Sequence, residues 1–109
     1  MEGNRSIDIA RLEKRRQQIL ATLSYVEEQR REVEHNTEWK DAASQLSRRR
    51  LLNDLRQWYL AAMRKVEKAR ARIPDDKYGL CLSCNSPIER EWLEACPETE
   101  LCTTCQNLR

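Results

Sequence analysis

The sequence predicts a mainly α fold, a long antiparallel two-helix coiled coil carrying a small C-terminal four-cysteine zinc finger. Three observations predict it. Seventy consecutive residues between Gly3 and Pro74 contain neither Gly nor Pro, whereas sandwiches and barrels need turn residues every roughly 8 to 12 positions. Within that span two stretches repeat apolar residues at heptad spacing. Beyond Pro74 come two Cys-x-x-Cys pairs separated by seventeen residues, a spacing that suits one four-thiolate metal site.

Composition narrows the class further. The chain has 109 residues, 35% charged and 39% hydrophobic, with no phenylalanine and a mean hydropathy of -0.87. That leaves too little apolar surface for a compact enzyme, yet its Leu, Ile and Val are too regularly placed for a disordered chain. The apolar run around Leu60 to Met63 is far too short to span a membrane, and Met1 to Arg15 alternates charge with isolated isoleucines. The expectation is a soluble cytoplasmic protein.

In the first helix Leu12, Ile19, Val26 and Val33 recur every seven residues, with Ile9, Arg16, Leu23 and Arg30 between them. Ser6 is placed to cap it, with Asp8 in its first turn. This helix is expected to run to about Glu34. His35, Asn36 and Thr37 then break the apolar pattern, and Thr37 is a good N-cap for a second helix. Leu52, Leu55, Tyr59, Ala62, Val66, Ala69 and Ile73 alternate spacings of three and four, keeping one stripe toward a partner helix. Pro74 and the Asp75-Asp76 pair stop it. So short a connection makes the helices antiparallel neighbours. Residues 1–77 therefore form a hairpin with its tip near 35–43, and residues 78–109 form the finger.

Cys81, Cys84, Cys102 and Cys105 supply all four corners of a tetrahedral thiolate site, a closed structural centre for one zinc ion per chain. Two disulfides are the competing reading, but they persist mainly in oxidising compartments. Redox catalysis through one Cys-x-x-Cys lacks its usual βαβ context. A segment of ~30 residues buries too little to fold alone, so metal binding must supply much of its folding free energy. Cys96, outside both pairs, reads as a small buried residue or inert thiol rather than a redox sensor. Asn85 suits a left-handed knuckle turn. Trp92, Leu93, Ile88 and Tyr78 are expected to pack the finger against the coil. Trp39, near the tip, is either an exposed contact residue or folded over the turn.

The string Tyr78-Gly79-Leu80-Cys81-x-x-Cys84, then Ile88, Leu93-Glu94-Ala95-x-Pro97 and Leu101-Cys102-x-x-Cys105, resembles the zinc finger of the DksA/TraR family of bacterial transcription regulators. The preceding hairpin is similar in layout. The resemblance implies a coiled coil that enters the secondary channel of RNA polymerase and brings acidic tip residues toward the active site. The family's tip pattern is Asp-x-x-Asp-x-Ala. The matching place reads Glu38-Trp39-Lys40-Asp41-Ala42-Ala43, where Asp41 and Ala43 match and Glu38 is longer by one methylene. No nucleophile or enclosing pocket accompanies these carboxylates, so no enzymatic activity is expected.

In family members that respond to guanosine tetraphosphate, basic residues on helix two and in the finger help hold its phosphates. Lys65 is consistent with the helix position. Cys96 and Gln106 stand where those members are basic, so the resemblance implies a weak or absent response. Charge bears on two rival readings. GATA-type DNA-binding fingers share the cysteine spacing, but Cys81 to Cys105 carries five Glu against Arg90 alone, which repels phosphates. Gln45 to Ile73 holds nine Lys or Arg against two acids, so direct DNA binding, though disfavoured, has one basic face to use. A zinc-stabilised coiled-coil adaptor is the other rival, and Arg16 and Arg30 at seam positions leave open whether the partner helix is internal. The intramolecular hairpin, a monomer, is the expectation.

Overall fold

The computed structural model describes residues 2–35 and 42–108. Two long helices, α1 (Glu2–His35) and α2 (Ala42–Arg72), pack antiparallel, and two short ones, α3 (Arg90–Ala95) and α4 (Thr103–Asn107), belong to the cysteine-rich end. At 1.5 Å per residue α1 and α2 are each about 45 to 50 Å long, which accounts for the elongated 57 × 30 × 19 Å shape.

The heptad stripe is the core. Leu12, Ile19, Val26 and Val33 of α1 are buried against Leu52, Ala62, Val66 and Ala69 of α2, with Ile73 just beyond. Leu12 and Ile19 cluster with Ala62, Val66, Ala69 and Ile73 near the open end. Val26, Val33 and Leu52 form a second cluster toward the turn. Of the interleaved apolar positions, Leu23 packs half-buried on the first cluster. Ile9 is 41% exposed, so the stripe is one residue wide there rather than two.

Arg16 and Arg30, polar interruptions in the pattern, sit in two charge clusters of the same design. Glu13 contacts Arg16 at 3.6 Å and Arg70 at 3.3 Å. Fourteen residues on, Glu27 contacts Arg30 at 3.0 Å, and Arg56, fourteen residues before Arg70, at 2.6 Å. Two heptads forward on α1 correspond to two heptads back on α2, the signature of antiparallel register. Arg56 and Arg30 together hold the Glu27 carboxyl below its usual range. Exposed pairs of this kind are screened by solvent and contribute little to stability, so they select register while the apolar stripe supplies stability.

Helix one begins a turn earlier than its sequence suggests. Ser6 lies inside α1 rather than capping it, and Asp8 is well inside the helix, where burial pushes its carboxyl up against the opposing pull of Arg11 and Arg90. The physical reason is tertiary: Arg5 donates to Asp76 in the turn after α2, holding the extra turn in place. At the other end Gln45 donates to the Val33 carbonyl at 3.0 Å and Arg48 to Gln29 at 2.9 Å, drawing the helices together beside the connection. The expected N-cap Thr37, Trp39 and the tip residues Glu38 and Asp41 lie outside the described residues, while Ala43 is exposed near the start of α2. Past Arg72, Pro74 prevents continuation, and Asp76 turns the chain with φ 57°.

Ile19→Ala removes a fully buried side chain from the stripe and is expected to cost about 2 to 5 kcal/mol. Ile9→Ala should cost less than about 1 kcal/mol. Urea unfolding of the metal-loaded protein checks this, and equal losses at both positions would contradict the one-residue-wide seam.

Candidate metal centre

The metal-site geometry begins with two backbone turns. Leu80 and Pro87 form an antiparallel bridge, within which the Cys81 N–H donates to Ser86 O at 2.8 Å and the Asn85 N–H to Cys81 O at 2.9 Å. Asn85 adopts φ 63° and Gly79 φ 86°, left-handed conformations that an amide side chain and a missing Cβ tolerate. The second pair opens α4. Cys102 is its N-cap, its sulfur accepting from the Cys105 N–H at 3.5 Å. The Leu82 N–H donates to Glu100 O at 2.9 Å and ties the two knuckles together.

These turns bring the Cys81, Cys84, Cys102 and Cys105 sulfurs within 4.8 Å of one another. Cys84 and Cys102 stand 3.7 Å apart. A tetrahedron with metal–sulfur distances of about 2.3 Å has edges of about 3.8 Å, so the four residues fit a metal ion. They do not fit disulfide pairing, which needs about 2.05 Å between sulfurs. Burial pushes the Cys81 thiol up, but the backbone N–H groups of Cys102, Cys84 and Ser83 overcome it and bring it down to about 6. Cys105 is pushed up to about 12 by the thiols of Cys102, Cys81 and Cys84. One thiol held down by backbone donors and another held up by its neighbours mark the four sulfurs as one interacting set.

Under the sulfurs lies the finger's own core: Cys81, Ile88, Leu101 and Cys102, with Trp92 and Leu93 packed on it. Ile88, Trp92 and Leu93 thus build the finger's own core, and they also line its clefts with the coil, Trp92 beside Trp58 of α2 and Ile88 and Leu93 beside Ile7 and Arg11 of α1. The knuckles bury too little without them. Tyr78 alone of the four joins the coil cluster. Its hydroxyl donates to Pro97 O at 2.9 Å, and burial with the nearby Asp8 carboxylate pushes it up to about 12.

Finger and coil are joined chiefly by charge. Arg15 donates to both oxygens of Glu98 at 2.8 and 3.2 Å, and Glu98 is only 3% exposed. Arg11 reaches Glu94 at 3.6 Å. Trp92 Nε1 donates to Thr99 Oγ1 at 2.8 Å, which donates on to Leu101 O, fixing the loop that carries Glu98. Sequence reading missed Arg15 and Glu98, because a charged pair 83 residues apart leaves no periodic signal. The acidic excess of the finger was the one hint.

Cys96 lies apart from the four-sulfur cluster. Half-buried, its thiol is pushed up by burial and by Glu98. It lines a cleft of about 280 Å³ between α2, Arg15 and the finger, where Lys65, Gln106, Trp58 and Trp92 also meet. The structure therefore brings Lys65, Cys96 and Gln106 to one place.

No family model matches the chain. Over 46 residues, 42% of this chain, it is 37% identical to the RNA polymerase-binding transcription factors DksA of Escherichia coli K12, Salmonella typhimurium LT2 and Shigella flexneri. The match spans 30% of the length of these curated relatives. The solved structure of transcription factor DksA2 from Pseudomonas aeruginosa superposes with a TM-score of 0.83, covering 98% of this chain and 83% of that one at 22% identity. The chain has a DksA-like fold. Its resemblance to the DksA/TraR family thus extends from the finger's sequence to the architecture of both helices. Among the described residues of this DksA-like chain, no helix is long and apolar enough to cross a membrane.

Four thiols must lose their protons to hold one metal ion. Loading is therefore expected to release protons and to weaken as pH falls, with Cys102→Ser abolishing it and Cys96→Ser leaving it intact. Competition against a chelator at two pH values, with metal analysis of both variants, checks this. Equal metal in the Cys102→Ser and native proteins would contradict the assignment.

Proposed function

We propose that the protein is a bacterial transcription regulator that binds RNA polymerase, acts in the cytoplasm as a monomer, and carries one structural zinc on Cys81, Cys84, Cys102 and Cys105. The observation that carries this reading is the DksA2-like architecture along 98% of the chain. The relatives matched over the 46-residue stretch are named for polymerase binding, which supports the same partner here. In domain terms, residues 1–77 are the hairpin and residues 78–109 its anchor.

The reading assigns the action to Glu38, Asp41 and Ala43 at the tip. A pair of helices is slim enough to enter a channel that excludes a globular domain. Once inside, desolvated carboxylates act strongly on a nearby cation or basic group, because low dielectric strengthens their field. The chain performs no reaction of its own. It changes initiation by acting on the polymerase. Direct DNA binding is disfavoured by the acidic excess of the finger, and three of the nine cations of segment 45–73 are engaged by α1: Arg48 with Gln29, Arg56 with Glu27 and Arg70 with Glu13.

Asp41→Asn removes charge with little change of shape. Polymerase binding should survive while the effect on initiation falls at least severalfold. Co-purification with core polymerase and reconstituted transcription read the two separately, and an Asn variant as active as native would sink the tip mechanism.

The cleft around Lys65 supports a weak or absent response to guanosine tetraphosphate. Cys96 and Gln106 bring no charge to it, Arg15 is committed to Glu98, and Glu98 and Glu100 line the same wall. Each missing charge-assisted hydrogen bond is worth about 1.5 to 3 kcal/mol. Transcription with a polymerase that does not itself bind the nucleotide should therefore change little when the nucleotide is added. Synergy is expected to appear with Cys96→Arg plus Gln106→Lys, and a large native response would refute this reading.

A further inference from the structure

We propose that Glu89 is a positioning residue for the four-thiolate site, holding the second cysteine knuckle in register with the first. The inference rests on the metal reading above, and it concerns a residue outside the ligand set. Glu89 Oε1 accepts from Thr103 Oγ1 at 2.9 Å, and its Oε2 accepts from the Thr103 N–H at 3.3 Å. Thr103 directly follows Cys102 and is the first residue of α4.

A five-residue helix has several amides without intrahelical acceptors. In α4 two of them meet side-chain acceptors. The Cys105 N–H points at the Cys102 sulfur, a member of the four-sulfur cluster, and the Thr103 N–H points at Glu89. Metal loading takes the proton from the sulfur and so changes that acceptor, whereas the carboxylate is the acceptor that metal loading leaves unchanged.

The anchor behind Glu89 is firm. Its neighbour Ile88 is buried in the finger core and donates to Gly79 O at 2.7 Å, while the Glu89 carbonyl accepts from the Leu93 N–H at 3.0 Å. Glu89 therefore spans from the first knuckle's frame to the first residue of α4, with its backbone pinned on both sides. Its own N–H and both Thr103 donors hold the carboxyl below its usual range. A carboxylate beside four thiolates is electrostatically unfavourable, so it is the hydrogen bonds, not the charge, that favour Glu here. Removing them frees α4 to turn Cys105 away from the cluster.

The test is zinc release from the loaded full-length protein to excess chelator, with zinc content measured first and helix content followed throughout. Glu89→Ala should accelerate release about tenfold. Thr103→Val, which keeps its N–H, should fall between that and native, and the double variant should release no faster than Glu89→Ala. Glu89→Gln, retaining an amide oxygen to accept from Thr103, should stay within about twofold of native. Helix content of the coil should be the same in all of them. Native release kinetics in Glu89→Ala, or additive effects in the double variant, would overturn the proposal while leaving the metal reading standing. A native protein that holds no zinc would overturn both.

Discussion

Four sulfurs sharing one centre are the constraint on which the rest of this molecule depends. A pair of helices joined at one end buries a single narrow stripe, and its open end has only exposed contacts such as Arg5 with Asp76 to stop it fraying. The finger closes that end, yet it owns only a handful of buried side chains, among them Ile88 and Leu101, and two of its four buried hydrophobic residues are cysteines. The crowded neighbours push the Cys105 thiol up, while backbone N–H groups bring Cys81 down. With a cation bound, the two knuckles become a single unit, and the loop between them acquires a defined shape.

That loop is where order passes from finger to coil. Thr99, gripped between Trp92 and the Leu101 carbonyl, places buried Glu98 where the partly exposed Arg15 meets it. Removing Arg15 would leave the buried Glu98 carboxylate without compensation. The exposed pairs of Arg11 with Glu94 and of Glu13 and Glu27 with their arginines are worth far less. Orientation of the coil on its base thus depends on Arg15 and Glu98, together with the Tyr78 contact to Pro97, and the heptad stripe carries that orientation toward the turn.

Much of this was legible in the residues before any coordinates. The period-seven pattern named Leu12, Ile19, Val26 and Val33 as the buried edge of α1, and the cysteine spacing named all four members of the sulfur cluster. Both are local or periodic features, dictated by helix geometry and by metal stereochemistry. What escaped was non-local. Nothing near Ser6 shows that Arg5 will find Asp76 and lengthen α1. Nothing near Arg15 marks Glu98 as its partner, and Glu89 looks like one more surface acid until Thr103 is seen beside it. Ile88, Trp92 and Leu93 are legible as packing residues, but apolar character does not tell that they build the finger's own core as well as line its clefts with the coil.

A thin rod with a rigid base is a device for delivering its far end to a chosen place. On the proposed function that place is inside polymerase, with Glu38 and Asp41 close to its reacting centre. Trp39 lies between them, and a photocrosslinking amino acid at that position, in the zinc-loaded protein bound to core polymerase, reports its surroundings directly. The account predicts crosslinks to residues lining the secondary channel next to the catalytic metal. A variant that binds polymerase fully yet crosslinks only to its outer surface would contradict it.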